Sequence, residues 1–227
     1  MRRAGERFAE EQRHAITEAV RGAETSTAAE IVPVVATSSG RYDRAEDTAG
    51  VFLGLLLLAG VWWGFQGVDP EGGDWGLSAA RFELPAMVAA FLVGFVLGAA
   101  ATAHVGVLGR LFTPRAQMEA EVAARARAVF FDRRVHHTAG RGGVLLYLSL
   151  HERMACVLGD DGILERLGQQ ALDEVCGVLV AGMREGDPTL ALGNAIREAG
   201  RHLARVLPRE TSDQNEIDDA LVTLDEL

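Results

Sequence analysis

The chain has 227 residues, 48% of them hydrophobic, and a formal net charge of -10 from 22 basic and 32 acidic residues. Every basic residue is arginine, which excludes Schiff-base chemistry, a lysine nucleophile and a lysine-dependent phosphate loop. The acidic balance argues against nucleic acid as a partner, since duplex binding draws on cationic contacts to phosphates.

Met1 to Glu11 is charged throughout and lacks the apolar core of a signal peptide, so no cleavage is expected there. Phe8, Ala15, Ile16, Ala19 and Val20 have helical spacing, with Gly22 as the expected stop. Glu30 to Thr37 is rich in valine and isoleucine and predicts a strand. Pro33 within it removes one ladder donor and points to a sheet edge or a bulge.

Two apolar blocks follow. Residues 49–65 carry no charge, and the only ionisable member of residues 84–108 is His104. At a rise of ~1.5 Å per residue they reach about 25 and 37 Å against a hydrocarbon core of about 30 Å, so both predict spans of a lipid bilayer. The rest of the chain has too little apolar surface to enclose both as core helices. Trp62 and Trp63 stand where an interfacial belt would. Arg41, Arg44, Arg110, Arg115, Arg125 and Arg127 flank the pair, whereas the connector from Gln66 to Glu83 holds only Arg81, so both termini are expected in the cytoplasm. Small residues recur at fourth positions, at Gly50 and Gly54, at Gly60 and Gly64, and at Ala90, Gly94, Gly98, Thr102 and Gly106. Such faces let helix backbones approach, either within one hairpin or across a homo-oligomeric seam. His104, without an ionisable partner in either span, is read as reaching the interface.

After the hairpin, Thr113-Pro114 starts a helix with Met118, Val122, Ala126, Val129 and Phe130 as its buried stripe. Residues 144–150 (VLLYLSL) are apolar on both parities, as a central strand covered on both faces must be. Met154 to Leu158 is close enough to pair with it as a hairpin. Beyond Gly159-Asp160-Asp161-Gly162, one helix should bury Leu164, Leu167, Ala171, Val175 and Leu179. A second, capped by Asp187 with Pro188 in first position, should bury Leu192, Ile196, Leu203 and Val206. The order predicts an α/β fold whose two soluble segments, residues 1–48 and 109–208, form one layered domain split by a transmembrane hairpin at 49–108. Residues 209–227 are an acidic tail with seven acids and one arginine. Ile217, Leu221, Val222 and Leu224 within it predict docking along the domain. Cys156 and Cys176, in apolar surroundings, are read as reduced thiols.

Asp160 and Asp161, with Glu30 or Glu152 completing the set, are the candidates for a divalent cation such as calcium or magnesium. The alternative has Asp161 capping the helix that begins near Ile163 and Asp160 solvated. His151-Glu152 opens like a zinc-helix motif, but its fifth position is Ala155. Arg133, Arg134 and Arg141, near His136-His137 at a helix end, are candidates for an anionic headgroup or phosphate. Neither a Ser/His/Asp order nor a glycine phosphate fingerprint appears.

Thr27 to Val32, Gly142 to Leu146, Glu152-Arg153, Asp160 to Ile163, Asn215 to Ile217 and the FFDRRVHHT run from Phe130 to Thr138 resemble the TPM domain family, in particular its bacterial integral-membrane branch with two spans inserted after the first strand. The resemblance covers nearly all of the soluble part. It implies an α/β/α layered domain at the bacterial inner membrane. Relatives include metal-dependent acid phosphatases and factors for assembly or repair of membrane complexes. The acid that precedes the Gly-Val-Leu strand in the phosphatase-like branch is Arg141 here, and the later acid has no counterpart in residues 163–172, while Glu152 keeps a carboxylate. These departures favour a non-catalytic interaction module with a membrane-protein partner over a metal-dependent phosphomonoesterase built on Asp160, Asp161 and Glu152.

Overall fold

The computed structural model describes residues 3–40, 43–65, 77–104, 110–209 and 215–225. In chain order the elements are α1 (Ala4–Arg7), α2 (Glu10–Glu24), β1 (Glu30–Ala36), α3 (Asp43–Phe65), α4 (Leu77–His104), α5 (Arg115–Asp132), β2 (Gly143–Ser149), β3 (Met154–Gly159), α6 (Asp161–Leu167), α7 (Gln169–Glu185), α8 (Pro188–Val206) and β4 (Val222–Leu224). The chain divides into two compact units, Tyr42–Arg115 and a second made of Arg2–Arg41 with Ala116–Leu227.

The second unit is built on a four-stranded mixed sheet in the order β3-β2-β1-β4. β1 and β2 run parallel from Glu30↔Gly143 to Ala36↔Ser149, and β2 and β3 form the antiparallel hairpin. Alternate residues of the two inner strands enter different cores, as the two-residue period of a strand requires. Ile31, Val35, Val144, Leu146 and Leu148 pack with Ile16 and Val20 of α2, Leu172, Val175 and Leu179 of α7, and Leu192, Ile196 and Leu203 of α8. Val32, Val34, Leu145 and Tyr147 pack with Val122, Ala126, Val129 and Phe130 of α5. All seven residues of each inner strand are buried, which accounts for the unbroken apolar runs.

β1 is an inner strand, not the edge that Pro33 suggested. The physical reason lies in the alternation of its N–H groups. Glu30 N–H donates to Gly142 on the β2 side, while Ile31 and Thr37 N–H point to the other side, to Glu24 Oε1 at 2.8 Å and Leu224 O at 2.8 Å. The missing donor of Pro33 faces that second side, where the β4 ladder begins only at Val34. The proline thus falls on the uncovered stretch of its own edge. β4 itself comes from the acidic tail.

Other boundaries differ in detail. Phe8 is buried but sits between α1 and α2, and α2 runs two residues past Gly22 to Glu24. The helix expected to carry Leu164 through Leu179 is two helices, parted at Gly168, whose φ of +79° is glycine territory. Leu164 is consequently exposed. Both cysteines are free thiols.

In the first unit α3 and α4 are each long and apolar enough to cross a membrane, over Glu46–Gly64 and Leu84–His104. Only 17% and 11% of these windows are buried, with Phe52, Leu56, Trp63, Val96 and Leu97 exposed, so neither is a core helix. Residues 66–76 of the connector and 105–108 of the second block lie outside the described residues. The two helices meet at glycines. A Cβ on Gly98 would stand 2.6 Å from Ala49 O, one on Gly94 2.7 Å from Gly54 Cα, and one on Gly50 or Gly54 2.8 to 2.9 Å from the carbonyls of Phe95 and Phe91. Among the described residues nothing lies within 4 Å of a Cβ added at Gly60 or Gly64, so neither joins this seam there. At about 100° per residue they are rotated by roughly 120° and 80° from Gly54 around the helix.

Candidate functional site

The four acids singled out in the sequence are distributed between the two ends of the β2–β3 hairpin. Asp160 follows β3 and meets the start of β2, where its carboxylate accepts from Ile163 N–H at 2.9 Å and Gly143 N–H at 3.3 Å. It is the buried N-cap of α6. This reverses the expected roles, because Asp161 is the solvated member of the pair, its side chain 85% exposed and 3.8 Å from Arg141. The reversal follows from geometry: the cap accepts from the N–H three residues on, which is Ile163 for Asp160.

Glu152 lies beyond the opposite end of β2, a strand length or roughly 20 Å of chain away. Its carboxylate accepts from Ser39 N–H at 2.8 Å, Ser38 Oγ at 3.3 Å and Ser149 Oγ, while Ser39 Oγ and Tyr147 OH are 2.9 Å apart. Burial pushes the Tyr147 phenol up to about 12. Glu152, Ser39, Ser149 and Tyr147 are all buried, so the knot ties the chain leaving β1 to the β2–β3 turn. A Cβ on Gly40 would meet Glu121 Cγ of α5 at 2.8 Å, so this exit runs close against that helix.

Glu30 opens β1 at the Asp160 end, but its carboxylate turns to the tail and accepts from the N–H groups of Glu216 at 3.1 Å and Ile217 at 3.2 Å. The proposed cation set therefore does not converge. Calcium needs six to eight oxygens and magnesium a near-ideal octahedron, whereas Glu152 is at the wrong end, Asp161 faces solvent, and Asp160 and Glu30 accept from backbone N–H. Among the described residues no group of three or more His, Cys, Asp or Glu side chains is arranged to hold a metal ion.

Arg133, Arg134 and Arg141 are exposed, and Arg134 and Arg141 occupy left-handed backbone at φ of 56° and 50°. Arg141 approaches Asp161 at 3.8 Å and Glu165 at 3.9 Å, so part of its charge is answered within the protein. Phe131 is exposed and lies beside His136, with ring centroids 4.8 Å apart and the rings tilted by 59°.

The most concentrated chemistry lies at a cleft of about 260 Å³ lined by Arg21, Glu24, Glu30, Arg209, Asn215 and Asp219. Glu24, Glu30 and Asp219 are all buried. Burial pushes the Glu24 carboxyl up to about 8 against the pull of the Ile31 N–H bond, and the charges of Glu30 and Asp219 and a hydrogen bond with Asp219 add to the rise. Asp219 also accepts from Arg21 Nε at 3.1 Å and Asn215 Nδ2 at 2.6 Å. Glu24 and Asp219 were not among the sequence candidates. One signal was available: Glu24 is the last residue of α2, where the helix dipole disfavours an acid unless something else holds it.

No family model and no curated protein matches the chain. The fold is similar to the NMR structure of BA42 protein from the psychrophilic bacteria Bizionia argentinensis sp. nov., with a TM-score of 0.58 and 18% sequence identity over 98% of this chain and 99% of that one. At that identity the likeness concerns fold alone.

Proposed function

We propose that this chain is a membrane-anchored, TPM-like module of the bacterial inner membrane that serves as an interaction or assembly factor for a membrane complex, with both termini cytoplasmic. The observation that carries this reading is the use made of the candidate acids. Asp160, Glu152 and Glu30 each accept hydrogen bonds from backbone N–H or hydroxyl groups of the fold, which supports an architectural use of these carboxylates, while Asp161, the remaining member of the phosphatase set, faces solvent. Two further observations support it. α3 and α4 expose apolar side chains that a bilayer would cover. β1 precedes the hairpin and β2 follows it, yet they are paired neighbours, which requires both flanks of the hairpin on one side of a membrane. The arginine distribution in the sequence supports the cytoplasmic side.

Two experiments test the reading. Reporter fusions at Asp74 and Leu227 should place the connector outside and the C-terminus inside; a C-terminus outside the cytoplasm refutes the orientation. Full-length protein in nanodiscs should hydrolyse no generic phosphate ester with magnesium or calcium. Turnover abolished by Asp160→Asn, with the fold intact, would make metal-dependent phosphomonoesterase the better reading.

A further inference from the structure

We infer that residues 215–225 are a pH-sensitive strap whose hold on the edge of β1 opposite β2 weakens as pH rises through neutrality. The strap has a short ladder and a long carboxylate-held stretch. β4 pairs with β1 only at Val34, Val35 and Ala36. Upstream of that ladder the strap is held by Glu30, which accepts from two of its N–H groups, and by Asp219, which the strap delivers beside Glu24. At its far end Asp225 accepts from Gly5 N–H at 2.9 Å and Thr37 Oγ1 at 3.1 Å. Buried Leu221 and partly buried Ile217, Val222 and Leu224 supply the apolar grip.

Docking therefore adds a third buried carboxylate to a place that already holds two. Facing Glu24 are Glu30 from β1, Asp219 from the strap, Arg21 from its own helix, and Arg209 from the segment after α8, which donates to Glu24 O at 3.0 Å. The Arg21 side chain is 60% exposed, so water screens part of its charge. A proton on Glu24 relieves the crowding and supplies a donor to Asp219. With the strap away, one carboxylate fewer faces Glu24 and water reaches it, so the proton is held less tightly. The docked state thus binds more protons than the released state. Its advantage is complete at low pH and is lost as pH rises toward about 8, where docked Glu24 ionises. Linkage limits the effect to tenfold in the docking equilibrium per pH unit for one proton. Release would bare the N–H and C=O groups of β1 along Val34–Thr37, a template for strand pairing that the strap otherwise occupies.

Hydrogen exchange on the full chain in nanodiscs, corrected for the intrinsic pH dependence of exchange, tests this directly. The amides of Thr37, Ile217, Val222 and Leu224 should lose protection by roughly three- to tenfold per unit between pH 6 and 8, while Leu146 in the sheet centre stays constant. Glu24→Gln keeps an acceptor for Ile31 and a donor for Asp219 but cannot ionise, and should flatten the profile. Asp219→Asn removes the third charge and should flatten it independently if the first variant fails to fold. Strap protection that is independent of pH, a slope unchanged in both variants, or a parallel loss at Leu146 would each overturn the inference.

Discussion

Alanine at Gly98 places a methyl group 2.6 Å from Ala49 O and 2.9 Å from Gly50 Cα, both backbone atoms that no side-chain rotation can move. Ordinary contact begins near 3.4 Å, so α3 and α4 must part by about 0.8 Å at this level. A gap of that size forfeits a quarter to a half of the dispersion attraction across the seam, and overpacking of this kind typically costs about 1–3 kcal/mol. Against this, replacing glycine by alanine within a helix returns up to about 1 kcal/mol. The net expectation for Gly98→Ala is a loss of about 1–2 kcal/mol. Gly60→Ala meets no atom of the described residues within 4 Å and keeps only the helical gain, so it should be neutral or stabilising by up to about 1 kcal/mol. Denaturation of the full-length protein by SDS in mixed micelles measures both. If Gly98→Ala is as stable as the parent, or Gly60→Ala the more damaging of the two, the glycines are not the packing seam of the hairpin and a homo-oligomeric seam becomes the better account of them.

The acids give sharper contrasts. Asp160→Ala removes the cap on Ile163 and the acceptor for Gly143 N–H and should cost about 2–4 kcal/mol in denaturant unfolding, whereas Asp161→Ala, losing one exposed ion pair, should shift stability by less than about 0.5 kcal/mol. Equal effects would contradict the cap assignment. Glu152→Ala strands the buried Ser39 N–H and Ser149 hydroxyl and should cost about 2–4 kcal/mol, with Glu152→Gln milder because the amide oxygen still accepts; the ranking is checked by the same unfolding curves. Burial pushes the Cys156 thiol from 9.0 to about 11, so maleimide labelling at pH 7.5 should run about 100-fold slower than for an unfolded cysteine and recover on denaturation; rapid labelling of the native protein would show the thiol to be solvated.

Periodicity made much of the fold readable, because burial imposes it. The α5 stripe at Met118, Val122, Ala126, Val129 and Phe130 and the doubly covered β2 are fixed by which residues must leave water. The Asp187-Pro188 start of α8 was legible because capping is local. What escaped depends on non-local partners. Pro33 has the same local chemistry on an edge strand as on an inner one, and only the late start of β4 decides how its missing donor is tolerated. The choice between Asp160 and Asp161 as cap turned on a one-residue difference in helix start that propensities do not resolve. The acid cluster was hidden for the same reason: Glu24, Glu30 and Asp219 come from a helix end, a strand start and the tail, and no spacing rule joins positions so far apart in the chain.

The connectivity around β1 also sets a timetable for synthesis. β1 leaves the ribosome well before β2, since residues 37–142 must be translated between them, which takes on the order of 5–20 s at typical rates. During that interval the apolar stretch from Glu30 to Ala36 has neither neighbour, β2 or β4, to pair with, while the hairpin segment is already emerging. An unpaired strand of this composition is prone to wrong pairing, and closing so long a loop is slow for any sheet. Successful biogenesis therefore depends on shielding one seven-residue segment until the second half of the domain arrives, and slowing translation after the hairpin should increase aggregation of nascent chains more than slowing it before β1.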